Sequence, residues 1–367
     1  QFVFTVNECV GNEKRAFISY DSLPKDVRKG DIILVDDGKL QFKVLETDGK
    51  NNVVTEIVVG GPLSSKKGVN LPNTAVSKPS LTEKDIADAN FALDHDVDWI
   101  ALSFVRKASD IHDLKEIINK TGKHAGIIAK IEKPEALDEL DDIIEASDAV
   151  MVARGDLGVE VDFDKVPLIQ KSIVNKCISL SKPVIIATQM MESMITNATP
   201  TRAEANDVAN AVLDGADTVM LSGETSVGKY PVETIRNMQK IIDSTEYSGA
   251  HFFRKHPPEI HNETFLQDSV CYNAVVLAEQ SEASAIICLT NSGYTAYRIS
   301  SHRPRAKVFS FTMNDRLLRR MSLVWGVTAF HFEDCHNIND YIEYTLDFLV
   351  SYNLIKKNDL VVHVGSI

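Results

Sequence analysis

The sequence predicts an α/β protein in which a β-rich segment precedes two stretches of alternating strands and helices. Residues 1–73 carry short β-branched and aromatic runs separated by glycine turns. Residues 74–248 repeat a strand–helix pattern, and residues 249–367 resume that pattern after a linker. We therefore expect three domains with boundaries at these limits.

The composition narrows the class of protein. Hydrophobic residues make up 44% of the 367-residue chain, and 39 Lys and Arg against 52 Asp and Glu give a net charge of -13. This acidic balance argues against binding to nucleic acid or to a membrane, so any anion must bind in a local pocket. The five cysteines are scattered without metal-type spacing, which indicates a reduced, cytoplasmic protein.

In the first segment, alternating runs predict strands that are separated by turn pairs such as Asp48-Gly49. The predicted strands are Phe2–Val6, Ile32–Val35, Gln41–Leu45 and Asn52–Val59. No helical period is visible here. Glycine and proline in Lys66–Pro72 indicate a hinge at the end of the segment.

The second segment opens with a helix for which Thr82 is the expected N-cap, and it continues as strand–helix repeats. The predicted strands are Trp99–Phe104, Gly126–Glu132, Ala149–Val152, Pro183–Thr188 and Thr218–Ser222. Such repeats predict a parallel sheet, and each strand ends in polar or small residues. Candidate functional residues at the ends of successive strands are typical of a barrel, and a doubly wound sheet is the alternative. No Gly-x-Gly-x-x-Gly opens a helix, so a dinucleotide fold has no support.

The third segment predicts a separate α/β domain. Its predicted strands are Ala285–Leu289, Val308–Phe311, Val327–Phe330 and Leu360–His363. After the first of these strands comes a turn rich in hydroxyl groups, whose candidate ligands are Thr290, Asn291, Ser292, Gly293 and Thr295. Such a turn suits a phosphate, although a capped helix is the alternative that the sequence favours.

A lysine and a glutamate lie at the end of the predicted strand Gly126–Glu132. Because side chains alternate along a strand, Lys130 and Glu132 should point to the same side. The strand is apolar and should be covered on both faces, where charge is costly unless it is paired or bound to an ion. The pair is therefore a candidate for chemistry, with a structural ion pair as the alternative.

A second carboxylate, Asp156, follows the next strand in the stretch Arg154–Gly158. With Glu132 it would supply two ligands from neighbouring strand ends, as magnesium sites often do. Gly155 would let backbone N–H groups face an anion at a helix start. The alternative is a glycine turn with an aspartate cap.

Weaker candidates lie at other strand ends and loops. Thr188 should present its hydroxyl at the same edge of the sheet, or else cap a helix. Lys67 could meet a phosphate as a point charge, although a loop lysine is usually solvated. Asp36 and Asp37 precede a glycine, and turn formation is the simpler interpretation for both.

A family resemblance rests on motifs spread over the chain. These are Lys66–Pro72, Ile128–Glu132, Met151–Gly158, Ala187–Met194, Pro200–Glu204, Asp207–Val212 and Leu221–Thr225. Together they are specific, and the chain resembles pyruvate kinase from end to end. The resemblance implies a partial TIM (β/α)8 barrel with an inserted all-β lid domain and a C-terminal α/β regulatory domain. It also implies an allosteric homotetramer that converts phosphoenolpyruvate and ADP to pyruvate and ATP.

The same resemblance implies roles for the catalytic candidates. Lys130 would stabilise the transferring phosphoryl group and the enolate, while Glu132 and Asp156 would bind Mg²⁺ or Mn²⁺. Thr188 would lie near the substrate carboxylate and the site of proton transfer. Backbone N–H groups of Gly155 and Asp156 would hold that carboxylate.

On the same grounds, Phe104 would form a wall of the substrate pocket, and Asp36 and Lys67 would lie on the nucleotide side of the lid. The turn Thr290–Thr295 would bind an effector. The family's first barrel strands, with its potassium ligands, have no counterpart in this sequence, and neither do its last strand and second effector loop. Asn206 stands where many members carry serine. We therefore expect this chain to be a piece of a longer protein, with potassium dependence left open.

Two other functions stay open at this point. A metal-dependent barrel lyase acting on pyruvate enolates could use similar acidic ligands, but it would ignore ADP. Alternatively, the chain could be an inactive fragment that binds a phosphorylated metabolite without turnover.

Overall fold

The computed structural model describes residues 1–36, 38–72, 74, 79–250, 252–254, 256–332 and 338–365. Within these ranges the strands form three sheets of six, five and four strands. The sheets follow one another along the chain, in keeping with the three predicted segments. Asp37, one of the predicted turn formers, lies outside the described residues.

The first sheet confirms the predicted β-rich segment. Its strands are β1 (Phe2–Thr5), β2 (Arg15–Phe17), β3 (Ile32–Val35), β4 (Leu40–Thr47), β5 (Asn52–Val59) and β6 (Val69–Asn70), in the order β2-β1-β5-β4-β3-β6. The rings of Phe2, Phe4 and Phe42 pack edge-on or tilted against one another in its core. The sequence missed the helix α1 (Leu23–Asp26), because a single turn is too short to show a helical period.

The predicted hinge is partly strand. Val69 and Asn70 form β6, which pairs antiparallel with Val35 and Leu34 of β3. The segment that leads out of the first sheet therefore remains part of that sheet as far as Asn70.

The second sheet consists of five parallel strands in sequential order. They are β7 (Trp99–Leu102), β8 (Gly126–Ile131), β9 (Ala149–Ala153), β10 (Val184–Ala187) and β11 (Thr218–Val219). The strand order does not reverse as it does in a doubly wound sheet, so the arrangement is that of a barrel wall. Strands β8, β9 and β10 bury side chains on both faces, as their apolar sequences predict.

Helices connect these strands. They are α2 (Glu83–Asp94), α3 (Ala108–Thr121), α4 (Glu135–Asp138), α5 (Leu140–Ala146), α6 (Arg154–Glu160), α7 (Val166–Ser179), α8 (Arg202–Asp214), α9 (Gly223–Ser226) and α10 (Pro231–Tyr247). Thr82 caps α2 as predicted, in a reciprocal capping box with Asp85. Helices α4 and α5 are separate, because Glu139 between them leaves the helical region at φ -111° and ψ 26°.

The third sheet confirms the predicted C-terminal α/β unit. Its elements are α11 (Phe265–Gln280), β12 (Ala285–Leu289), α12 (Tyr294–Ser301), β13 (Lys307–Thr312), α13 (Asp315–Arg320), β14 (Val327–His331), α14 (Ile338–Ser351) and β15 (Val361–Val364). The strands are parallel in the order β14-β13-β12-β15, with an apolar cluster on each face. Across the described ranges, none of the helices has the length and apolar character needed to cross a bilayer.

The third unit packs against the N-terminal ends of the strands in the second sheet. Arg319 pairs with Asp98, just before β7, at 3.0 Å, and Arg303 pairs with Asp217, just before β11, at 3.2 Å. The opposite, C-terminal ends of these strands are therefore left for the candidate site.

Candidate active site

The predicted pair of charges meets at the end of β8. The ammonium group of Lys130 forms an ion pair with Glu132 Oε1 and donates a hydrogen bond to Ser103 Oγ at 2.7 Å. The side chain of Glu132 is only 2% exposed, and its other oxygen accepts the backbone N–H of Phe104 at 3.0 Å. Both charges thus point to the same side, as the alternation along a strand predicts.

Phe104 lies just beyond β7 in an unusual backbone conformation. Its φ of +57° is left-handed, which costs an L-residue about 1 to 2 kcal/mol, and its side chain is half exposed. The hydrogen bond from its N–H to Glu132 offsets part of this cost. The sequence placed Phe104 at the site by resemblance only, and nothing in the local pattern indicated a strained backbone.

Asp156 lies in the first turn of α6, directly after β9. Strands β8 and β9 pair in parallel with Ile131 opposite Val152, so Glu132 and the start of α6 leave the sheet side by side. The structure therefore brings both predicted carboxylates to the same edge of the second sheet, from neighbouring strands.

Thr188 directly follows β10 and, with Gln189, forms a left-handed pair at φ +69° and +55°. Its hydroxyl accepts the Gly155 N–H at 2.7 Å and donates to the Ala187 carbonyl at 2.6 Å. The Gly155 N–H, expected to bind a substrate carboxylate, is therefore engaged by Thr188 in this structure. A carboxylate can bind this N–H only if the threonine hydroxyl turns away.

Sequence reasoning assigned no role to Arg154, although it organises this edge of the sheet. Its guanidinium group, 11% exposed, donates to the Thr188 carbonyl and to Asp207 Oδ1, both at 2.7 Å, and to the Ala187 carbonyl at 3.3 Å. One side chain thus holds the left-handed turn after β10 against the start of α6. An arginine beside a buried strand end was a visible signal, but the two carbonyls that it binds lie more than thirty positions away.

The two residues predicted for the nucleotide side lie in the first sheet. Lys67 Nζ pairs with Asp36 Oδ1 at 2.9 Å, and the hydrogen bond from Lys67 lowers the pKa of Asp36. Asp36 itself is left-handed at φ +56°, and its N–H binds the Gly68 carbonyl at 3.1 Å. The pair is therefore formed within the first sheet and its outgoing segment.

A cavity of about 1600 Å³ lies between the first sheet and the edge of the second. Its walls include Lys67 on one side and Ser103, Phe104 and Lys133 on the other. Ser103 and Phe104 both contact the Lys130–Glu132 pair, so the predicted catalytic charges lie directly behind one wall of this cavity.

The predicted effector turn lies elsewhere, after β12 in the third unit. Thr290 is buried and its hydroxyl accepts the Gly293 N–H at 2.9 Å, while the Ser292 hydroxyl accepts the Tyr294 N–H at 3.4 Å. Asn291 is exposed and Thr295 is half-buried in the first turn of α12. Gly293, the N-cap of α12, has no side-chain cap, so effector binding at this turn stays a prediction.

Helix α12 is anchored by a buried aspartate of α11. Asp268 accepts hydrogen bonds from Arg298, Tyr294 and Thr264. Burial alone would raise the pKa of Asp268, but these donors outweigh it and lower the pKa to about 2. Arg298 also donates to the Ser179 carbonyl at 3.0 Å, which ties α12 to the end of α7 in the second unit.

The carboxylates suit a divalent cation by charge and by donor type. Among the described residues, no cluster of three or more His, Cys, Asp or Glu side chains could hold a metal ion. Magnesium nevertheless needs only one or two carboxylates, because water and substrate oxygens complete its shell. Glu132 Oε1 is buried, accepts no hydrogen bond among the described residues and lies against a cation, the Lys130 ammonium. This environment fits a ligand to a positively charged partner.

Fold and site together define a class of protein. A wall of parallel strands carries a lysine and two carboxylates at the strand ends, behind a cavity that a second, β-rich unit covers. This arrangement is that of a barrel-type α/β enzyme.

Comparisons with known proteins identify the family. The model "Pyruvate kinase, barrel domain" matches residues 1–235, and "Pyruvate kinase, alpha/beta domain" matches residues 268–367. A pyruvate kinase of Corynebacterium glutamicum is 44% identical over 361 residues, covering 98% of this chain and 75% of its own. Another from Geobacillus stearothermophilus is 41% identical over 364 residues, covering 99% and 62%. The chain therefore belongs to the pyruvate kinase family.

Structural comparison agrees with this assignment. The crystal structure of a pyruvate kinase from Cryptosporidium parvum superposes with a TM-score of 0.88 at 34% identity, covering all of this chain and 76% of that one. The expected family and the expected fold, part of a barrel with a β-rich insertion and a C-terminal α/β unit, are thus confirmed. The chain spans about three quarters of the length of the Corynebacterium relative.

Proposed function

We propose that this protein transfers the phosphoryl group of phosphoenolpyruvate to ADP, giving pyruvate and ATP. The observation that carries the proposal is the Lys130 ammonium, held between Glu132 and Ser103 at the end of a buried strand. A transferring phosphoryl group places its charge on peripheral oxygens, and a fixed ammonium beside them stabilises that charge without reorganisation. The same group then faces the enolate oxygen left behind.

Glu132 and Asp156 would hold a divalent cation, Mg²⁺ or Mn²⁺. When bound, this ion would neutralise phosphate oxygens and polarise the group in transfer. The Glu132 carboxylate also orients Lys130 through their ion pair. Potassium would be a second cation, and no residue of this chain is assigned to it.

On the substrate side, Thr188 would lie near the carboxylate and the carbon that receives a proton. The backbone N–H groups of Gly155 and Asp156 would bind the carboxylate once the Thr188 hydroxyl has released the first of them. The half-exposed ring of Phe104 would form an apolar wall of the pocket. On the nucleotide side, Asp36 and Lys67 would contact ADP and its phosphates from the first sheet. This sheet would act as a lid that excludes water, which otherwise competes for the phosphoryl group.

The proposal extends to organisation. We take residues 1–73 as the lid, 74–248 as the catalytic domain and 249–367 as a regulatory domain whose Thr290–Thr295 turn binds an effector. We also propose a homotetramer in the cytoplasm. Mass photometry and cell fractionation measure these last two properties directly.

A lactate-dehydrogenase-coupled assay tests the function. It should be run in parallel on the 367-residue chain and on the protein encoded by its whole gene. We expect pyruvate formation that requires phosphoenolpyruvate, ADP and Mg²⁺ together. Metal-dependent turnover of a pyruvate enolate that ignores ADP would instead indicate a lyase, and metabolite binding by both proteins without turnover would contradict the proposed reaction.

A further inference from the structure

A buried ion pair lies next to both candidate metal ligands but has no role in the proposed chemistry. Lys133 Nζ lies 2.5 Å from Glu160 Oε1, with side-chain exposures of 12% and 2%. Lys133 directly follows Glu132, and Glu160 lies four residues beyond Asp156 on the same face of α6. The pair therefore joins the end of β8 to the end of α6.

A residue of the first sheet completes this cluster. The side-chain amide of Asn70, itself buried, donates to the same oxygen, Glu160 Oε1, at 3.3 Å. Asn70 belongs to β6, which pairs with β3. Strand β3 runs directly into Asp36, so the chain connects the cluster to the Asp36–Lys67 pair within a few residues.

Gly38, two residues after Asp36, lies near Val159. A Cβ placed on Gly38, in the turn after Asp36, would lie 3.9 Å from a methyl of Val159. Val159 precedes Glu160 on α6. The backbone at Gly38 is therefore close to the end of α6 that carries the ion pair.

Charge explains why this cluster would hold the sheet in place. A carboxylate as buried as that of Glu160 is costly unless hydrogen-bond donors or an opposite charge balance it. Lys133 supplies the charge and Asn70 supplies a further donor. If the first sheet lifted away from α6, Glu160 would lose the Asn70 amide and the cover that keeps water from the pair. The seated position is therefore the favoured one.

We propose that Lys133, Glu160 and Asn70 form a latch that seats the first sheet on α6 and thereby positions Asp36 and Lys67 over the candidate active site. All three are positioning residues, because they act through the first sheet rather than on the reacting atoms. The inference rests on the proposed function in one respect, namely that Asp36 and Lys67 serve the nucleotide.

The chain offers a matched control for the ion pair. Lys120 and Glu116 on α3 pair at 2.7 Å, but their side chains are 70% and 65% exposed, and water already screens them. The latch variants are Glu160→Gln, Lys133→Met and Asn70→Ala, and the controls are Glu116→Gln and Lys120→Met. Each control repeats one latch substitution at a site far less buried.

In steady-state kinetics of the whole-gene protein, we expect each latch variant to raise the KM for ADP about tenfold. For Asn70→Ala the KM for phosphoenolpyruvate should change less than about twofold, because Asn70 lies in the first sheet and the substrate side lies on the second. Combining Asn70→Ala with Glu160→Gln should add little to either single change, since both remove the same contact. The controls should match the wild type. Variants that fold as the wild type does, by circular dichroism, but leave the KM for ADP unchanged would overturn the proposal.

Asn70→Ala separates the latch from a simpler role. If Lys133 and Glu160 only held α6 in place, their variants would alter Mg²⁺ affinity while Asn70→Ala changed nothing. That pattern would contradict the latch.

A distance measurement that does not depend on turnover tests the latch separately from the proposed reaction. Spin labels at Lys50→Cys, in the first sheet, and Lys240→Cys, on α10, report the distance between the two units when Cys9 and Cys335 are both replaced by serine, because the other three cysteines are buried. We expect a narrow distance distribution in the otherwise wild-type protein and a broader one in Asn70→Ala and Glu160→Gln. Equal widths would refute the latch even in an active enzyme, whereas broadening in a protein that makes no pyruvate would refute only the proposed reaction.

Discussion

Replacement of Arg154 tests how the substrate edge is built. Arg154→Met keeps most of the apolar stem but removes the guanidinium group that reaches the carbonyls of Thr188 and Ala187 and the carboxylate of Asp207. Thr188 and Gln189 would then keep two successive left-handed conformations without this support. We expect loss of both stability and activity.

The expected loss of stability can be calculated from these contacts. Hydrogen bonds from a charged donor contribute about 1.5 to 3 kcal/mol each, and the bonds to Thr188 and Asp207 are short and largely buried. The side chain of Asp207 is about one third exposed, so water can replace much of the stabilisation that its bond to Arg154 contributes. A loss of about 3 kcal/mol in the free energy of unfolding is therefore expected for Arg154→Met. Arg154→Lys keeps the charge but not the planar guanidinium group, so it should lower the free energy of unfolding by about half as much.

Urea-induced unfolding, monitored by circular dichroism, measures the loss in the free energy of unfolding. Arg236→Met, on the exposed face of α10, is the control. The turnover number of Arg154→Met should fall about tenfold or more, because Thr188 loses its fixed position. An Arg154→Met protein whose stability lies within about 0.5 kcal/mol of the wild type and whose turnover is unchanged would refute this account of the edge.

Other changes test the remaining parts of the molecule. Glu132→Gln should weaken Mg²⁺ binding about tenfold or more in isothermal titration calorimetry, because it removes one of two carboxylate charges, and unchanged affinity would exclude Glu132 as a ligand. Arg303→Met removes the charged partner of Asp217, which keeps its hydrogen bonds from the N–H groups of Val184 and Trp325, and should lower stability by about 3 kcal/mol in scanning calorimetry, whereas a loss under about 1 kcal/mol would contradict this role for the pair. The lowered pKa of Asp268 stabilises the fold above pH 3.8, and about 1 to 2 kcal/mol of this should disappear as pH falls from about 4 to about 2. Asp268→Asn should flatten that pH profile, and an unchanged profile would contradict the assignment.

Local periodicity predicted much of the fold. Buried parallel strands appear in the sequence as short apolar runs, so β8, β9 and β10 were found within a residue or two of their bounds. The common direction of Lys130 and Glu132 follows from the two-residue repeat of a strand alone. Roles in catalysis came from resemblance to a family, because one sequence does not show which polar residues meet a substrate.

Features set by distant contacts were missed. The left-handed conformations of Phe104 and Thr188 depend on Glu132 and Arg154, each about thirty residues away, and no local pattern marks them. The hydrogen bond from Asn70 to Glu160 spans ninety residues and joins the first sheet to α6. Such tertiary contacts, rather than propensity, position the side chains of the candidate site.

The most direct test of the central claim is the turnover of Lys130→Met in the whole-gene protein, measured as ATP formed from phosphoenolpyruvate and ADP. Loss of a fixed charge that stabilises the transition state lowers turnover by about 10²- to 10³-fold or more, so we expect at least that decrease with an unchanged circular dichroism spectrum. Turnover within a few-fold of the wild type would contradict the assignment of Lys130 to phosphoryl transfer.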